Sequence, residues 1–207
     1  MNTPEHIFAA HVIGACVEVN KGEPPAAYCI NTTGCGCLFA LKMLCHKIDD
    51  KSITADDASA LRYLAKYLVF HNRPDDALPH AQRALKYYQT QYGKKSIDAF
   101  VMHAEVAFIY AMMGGAKHGI AVTAWRMLRE RVSDFSSFPK ADRKTAEYLI
   151  KHMGCDELIA KAHHEPDKRK RVQSLKTALE IALHIKHGYL PRICADLDIL
   201  GYIRPTS

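Results

Sequence analysis

The feature that most constrains this chain is a repetition of itself. The segment spanning residues 64–85 returns in outline as residues 107–128. Tyr67 and Tyr110 stand 43 positions apart, and the pairs Ala81/Ala124 and Leu85/Leu128 share that offset. Self-similarity at a period of about forty residues, in helical sequence, is the mark of stacked helical hairpins, because one hairpin cannot bury its apolar face alone. Such stacks present a curved surface to another chain more often than they build a reaction site. The repetition therefore points to binding as a class of work, without naming the partner.

The punctuation of the chain agrees with helices throughout. Thr3, Pro4 and Glu5 make a favourable helix start, and that helix is expected to run to about Asn20. Gly22, Pro24, Pro25 and Gly34 mark a loop, followed by a helix over residues 35–48. Thr54 with Asp57 three positions on reads as a capping box. Further helices are expected over 54–71, 74–93, 96–114 and 117–132, then, after a break at 133–139, over 139–153, 155–164, 167–187 and 190–200. Gly154, Gly188 and Gly201 fall where helix ends favour a residue with positive φ. No run alternates as a strand does between hairpin turns. The expected class is all-α: stacked antiparallel hairpins in a right-handed solenoid, with helices capping both ends. Residues 1–54 form the N-terminal cap, 55–135 the hairpins and 136–207 the C-terminal helical region, all within one domain.

Composition sets limits on function. Hydrophobic residues make up 48% of the 207 positions and charged residues 24%, which suits a chain with a full core. The formal charge of +6 favours acidic partners in general without singling out nucleic acid. Seven cysteines, an odd number scattered along helices, do not resemble a disulfide framework and suggest a reducing cytoplasm. The Ile13-Gly14-Ala15-Cys16 run looks like a lipoprotein cleavage box. It lacks a preceding positive charge and a clean apolar centre, so no secretion signal is expected. The longest apolar stretch, 100–116, carries His103 and Glu105, which argues against a membrane span.

Residues 57–131 resemble tetratricopeptide repeats, most of all the longer variety of kinesin light chains. The resemblance rests on Leu61, Leu64, Ala65 and Leu68, the turn Asn72-Arg73-Pro74, then Ala77, Leu78, Ala81, Ala84 and Leu85. In the second copy Ala104, Ala107, Tyr110, Gly114-Gly115, Ile120, Ala124 and Leu128 match, while Phe108 departs from the small residue the pattern asks for. Ordinary amphipathic hairpins in an unrelated bundle can produce the same pattern. The resemblance implies a concave groove lined by the first helix of each hairpin. Carried over, the partner-binding residues would be Arg62, Lys66 and Phe70, then Met102, Glu105 and Ile109. An acidic or carboxylate-ended segment of a protein or peptide would lie there, and self-association into a homodimer stays open.

Other candidates for chemistry are weaker. Cys29, Cys35, Cys37, Cys45 and His46 form the densest set of soft ligands, but their spacing is not that of common zinc modules, and helical cysteines are more often core residues. Cys35 and Cys37 fall near a helix start, where a thiol could become reactive. His163, His164, His184 and His187 could be ligands by spacing, yet no carboxylate or cysteine set stands near them in sequence, and solvated side chains are the expectation. No metalloprotease, phosphate-loop or serine-hydrolase motif occurs. The expectation is a non-enzymatic chain with no catalytic residues, no metal and no cofactor.

The alternative reading is nucleic-acid binding. Lys168, Arg169, Lys170 and Arg171 open a helix, where positive charge opposes the helix dipole. The later Gly188-Tyr189-Leu190-Pro191 turn, a helix and the Gly201-Tyr202-Ile203-Arg204 exit resemble the end of a winged helix-turn-helix. Its contacts would be Lys168, Arg169, Lys170, Arg171, Arg192 and Arg204. The competing account is a solvated basic face with a packed C-terminal cap.

Overall fold

The computed structural model describes residues 48–49, 52–134, 136, 138–185, 187 and 190–202; the expectations that fall on residues 1–47, on Gly188 and Tyr189, and on Ile203 and Arg204 lie outside that range. The described residues are helical, with no strand among them. In order they are α1 (Ala55–Phe70), α2 (Pro74–Tyr92), α3 (Ile97–Met113), α4 (Gly115–Ser133), α5 (Lys140–His164), α6 (Lys168–Ile185) and α7 (Leu190–Ile199). The chain divides into two compact units, residues 1–102 and 103–207.

In the first unit, α1 and α2 pack as a helical hairpin. The capping box forms as the sequence suggests. The Asp57 backbone N–H donates to Thr54 Oγ1 at 3.2 Å, and the Thr54 N–H donates to Asp57 Oδ2 at 2.9 Å. Helix α1 ends where Asn72 takes φ of 60°, a conformation asparagine tolerates. There the Arg73 N–H reaches back to Leu68 O at 2.8 Å and the Asn72 N–H to Val69 O at 3.0 Å, the paired bonds of a Schellman turn. Pro74 then opens α2, where its missing N–H costs nothing. Ala58, Ala60, Ala65, Ala77, Ala81 and Ala84 are all buried, so small side chains let the two backbones approach, with Leu61, Leu64 and Leu68 filling the core. Arg83 ties the preceding chain to this hairpin by donating from Nη2 to Ile48 O at 2.8 Å.

The paired positions of the repetition do not share environments. Tyr67 and Ala81 are buried whereas Tyr110 and Ala124 are half-buried; Leu85 is half-buried whereas Leu128 is buried. Ile120 is exposed, and Phe108, the departure from the pattern, is buried.

In the second unit, α5 packs against both α4 and α6, and α7 packs against α6. Arg129 and Glu157 join α4 to α5 through two parallel contacts of 2.8 and 2.7 Å. Glycine is required at position 114. It adopts φ of 72° and ψ of −164°, and a Cβ there would stand 2.6 Å from Cε1 of His164. The His164 ring is held in place by Nε2, which lies 2.8 Å from Ala111 O at the end of α3.

One boundary differs from the sequence expectation. Residues 139–153 and 155–164 are not two helices separated at Gly154. They form the single 25-residue helix α5, and Gly154 has no positive φ. A lone glycine weakens a helix by about 1 kcal/mol relative to alanine, and the buried stripe on either side outweighs that. The Gly201 expectation does hold. At φ of 75° it lets Tyr202 N–H reach Leu197 O and its own N–H reach Asp198 O, both at 2.9 Å.

Candidate functional site

The continuity of α5 through Gly154 has a chemical consequence. It places His152 and Asp156 four residues apart on one helix, with their side chains on the same side. Asp156 falls within the buried stripe Leu149, Met153, Asp156, Ala160 and is itself only 2% exposed. A carboxylate that deep demands partners, because removing its hydration is costly.

Two imidazoles answer that demand. His152 Nδ1 lies 3.1 Å from Asp156 Oδ2. His187 Nε2 lies 3.2 Å from the other oxygen, Oδ1. His187 comes from the connection between α6 and α7. Its backbone is fixed on both sides: its N–H donates to Ala182 O at 2.9 Å, and its carbonyl accepts from Leu190 N–H at 3.0 Å. The two rings stand 3.9 Å apart between centroids, tilted by 36°. The cluster has one wet edge, since the His152 side chain is 22% exposed while that of His187 is fully covered.

Around the cluster, α5 and α6 are fastened by polar contacts from α5. Tyr148 donates from its hydroxyl to Ile185 O at 3.1 Å, and its ring lies 5.8 Å from His152. Cys155 Sγ lies 3.5 Å from Ala178 O. Burial pushes the Cys155 thiol well above its usual range, and the Asp156 carboxylate beside it pushes in the same direction, so the sulfur stays protonated. For Asp156, burial alone would raise the pKa. The charge and hydrogen bond of His152, followed by His187, outweigh it and hold the carboxyl well below the ordinary range. The centre is thus an ionised buried carboxylate between two imidazole nitrogens.

This cluster corrects one expectation. His184 is exposed, as expected, but His187 is among the most buried polar residues. Its carboxylate partner lies 31 positions upstream, beyond any local spacing rule. One signal was present in the sequence: an aspartate on the apolar stripe of a helix, four residues after a histidine.

The expected groove residues fare unequally. Arg62 and Lys66 share one side of α1 and are half-buried, as is Glu105 on α3. Phe70, Met102 and Ile109 are buried instead of lining an open groove. The reason in α3 is its composition: it is apolar nearly all round, and a helix of that kind is covered on most sides.

The basic segment is likewise divided. Lys168, Arg169 and Lys170 are exposed. Arg171 is half-buried and donates from Nε and Nη2 to Glu165 O at 2.9 and 2.6 Å. Arg192 donates from Nε to the Asp196 carboxylate at 2.9 and 3.1 Å. The unfavourable charge at the start of α6 is offset by Asp167, whose Oδ1 accepts from the N–H groups of Arg169 and Lys170 at 2.8 and 3.1 Å. Arg204 and the set Cys29, Cys35, Cys37, Cys45 and His46 lie outside the described residues.

Comparison of the chain with protein-family models, with curated proteins and with solved structures finds no match. No helix among the described residues is long and apolar enough to cross a membrane.

Proposed function

We propose that this protein is a non-enzymatic binding module, built on tetratricopeptide-like hairpins, that takes an acidic or carboxylate-ended segment of another protein. The observation that carries the reading is a tyrosine cluster at the end of α2. The rings of Tyr87, Tyr88 and Tyr92 lie 5.5 to 6.5 Å from one another. Tyr92 is exposed, and so are Lys86, Lys94 and Lys95 around it. Tyrosine offers a rigid apolar face with a polar tip, the composition that concentrates binding energy at interfaces. Lysines at its edge favour an acidic partner and speed encounter. The packed alanines of α1 and α2 support the hairpin geometry, and Arg62 with Lys66 adds cationic charge on one side of α1. Free cysteines at positions 155 and 194 accord with a reducing compartment such as the cytoplasm.

The test is an array of peptides with acidic, neutral or basic sequences, ending in a free carboxylate or an amide. Acidic peptides should bind, more weakly at high salt. Arg62→Ala with Lys66→Ala should lower the melting temperature only modestly, since both side chains keep part of their surface in water. The same double substitution should weaken the binding, as should Tyr88→Ala with Tyr92→Ala. Equal binding of acidic and basic peptides would sink the reading. Nucleic-acid binding is the other outcome. It is favoured if a short single-stranded RNA or a DNA duplex binds and substitution of Lys168, Arg169 and Lys170 abolishes it.

A further inference from the structure

We propose that His152, Asp156 and His187 form a binding site for a divalent transition-metal ion of the zinc class. The three residues offer two imidazole nitrogens and a carboxylate oxygen, all within 4.8 Å of one another. Ligands sharing one ion at bonds of about 2.0–2.2 Å must stand roughly 3–4 Å apart, so small side-chain adjustments suffice. Each imidazole nitrogen already stands at such a distance from one carboxylate oxygen, His152 3.1 Å from Oδ2 and His187 3.2 Å from Oδ1.

Three further observations favour an ion over a simple hydrogen-bonded cluster. Asp156 Oδ1 is fully buried and makes no regular hydrogen bond, with the His187 Nε2 contact at 3.2 Å beside it. A buried carboxylate oxygen left in that state is costly, and a cation held between it and the imidazole nitrogens would satisfy it. The backbone on each side of His187 is hydrogen-bonded, so that ligand is positioned before any ion arrives. The wet edge at His152, 22% exposed, gives an entry route from solvent. Imidazole and carboxylate together suit zinc, cobalt and ferrous iron better than magnesium or calcium, which prefer oxygen. The ion would join α5 to the connection between α6 and α7. This inference is independent of peptide binding and stands or falls separately.

The site is tested on the full chain after removal of bound metal with a chelator. Zinc and cobalt are titrated in competition with a chromogenic chelator, with magnesium as control. Cobalt also separates this site from any cysteine set, because nitrogen and oxygen ligands give no thiolate-to-metal charge-transfer band. His152→Gln is the first variant, since its side chain is the most exposed of the three, and His187→Gln is the second. We expect cobalt absorption without thiolate character and at least about 100-fold weaker binding in either variant, since loss of even a supporting group costs 10- to 100-fold. Magnesium should not compete. Imidazole NMR signals of His152 and His187 in the unaltered protein should shift when zinc is added, a reading that needs no variant. The proposal is overturned if neither imidazole responds to zinc, if the bound cobalt shows only thiolate character, or if folded variants bind as tightly as the unaltered chain.

Discussion

The α1–α2 hairpin and the α5–α6 pair hold two helices together by opposite means. In the first, buried alanines let the backbones close, leucines fill the core, and no carboxylate, lysine, arginine or histidine of either helix is buried. In the second, the contact includes an ionised carboxylate, two imidazoles, a tyrosine hydroxyl and a thiol. An apolar seam is non-directional and tolerant of detail, because its stabilisation follows area removed from water. A buried polar cluster is directional: every group must meet a partner, and loss of one leaves the others uncompensated. The first arrangement is suited to holding a scaffold. The second is suited to holding something in a defined place.

The sharpest way to break the comparison is to put a charge into the seam. Ala65 is 3% exposed and Ala81 1%. Ala65→Glu should destabilise by roughly 4 kcal/mol or more, as an unpaired charge is driven between two helices. A thermal melt close to that of the unaltered protein would show that the seam is looser than its burial indicates.

Asp156→Asn should have the next largest effect, about 2–4 kcal/mol, because it leaves the buried His187 and the partly covered His152 facing a neutral amide. Chemical denaturation measures it, and a loss of less than about 0.5 kcal/mol, typical of a surface substitution, would deny the cluster its role.

The same variant carries a pH prediction. The folded-state pKa of Asp156 is depressed, so its stabilisation is present above the unfolded value of about 3.9 and is lost as pH falls toward the folded one. The difference in melting temperature between Asp156→Asn and the unaltered protein should therefore narrow as pH falls below about 4. A difference that stays constant to strongly acidic pH would mean the carboxylate is not held ionised.

The smallest expected effect sharpens the account of α5. A Cβ at Gly154 would meet open space, and the backbone there has no positive φ. Gly154→Ala should raise stability by roughly 0.5–1 kcal/mol through helix propensity and a less flexible unfolded chain. If it destabilises instead, position 154 is a hinge and His152 is not rigidly placed over Asp156.

Much of the fold was legible because its signals are local. The Thr54–Asp57 capping box, the Asn72-Arg73-Pro74 turn, the start of α2 at Pro74 and the helix end at Gly201 each depend on a few adjacent residues and their hydrogen bonds. The helical class followed from the same kind of pattern. The exposure of Lys168 to Lys170 was expected too, and Asp167 shows how the helix tolerates them.

Tertiary structure decided the rest. Local sequence marks Gly154 as a helix end, and only packing of the apolar stripe on both sides carries α5 through it. That continuity sets His152 over Asp156, and the packing of α5 on α6 brings His187 to the same carboxylate from 31 positions away. Phe70, Met102 and Ile109 could be read as groove or as core from spacing alone, since helical periodicity fixes which residues share a face and says nothing of what covers it. The sequence by itself determined helices, turns and caps, because those are short-range bonds within one segment. The burial of Asp156 between two imidazoles, by contrast, is a property of helices brought together, where distance in the chain no longer measures distance in space.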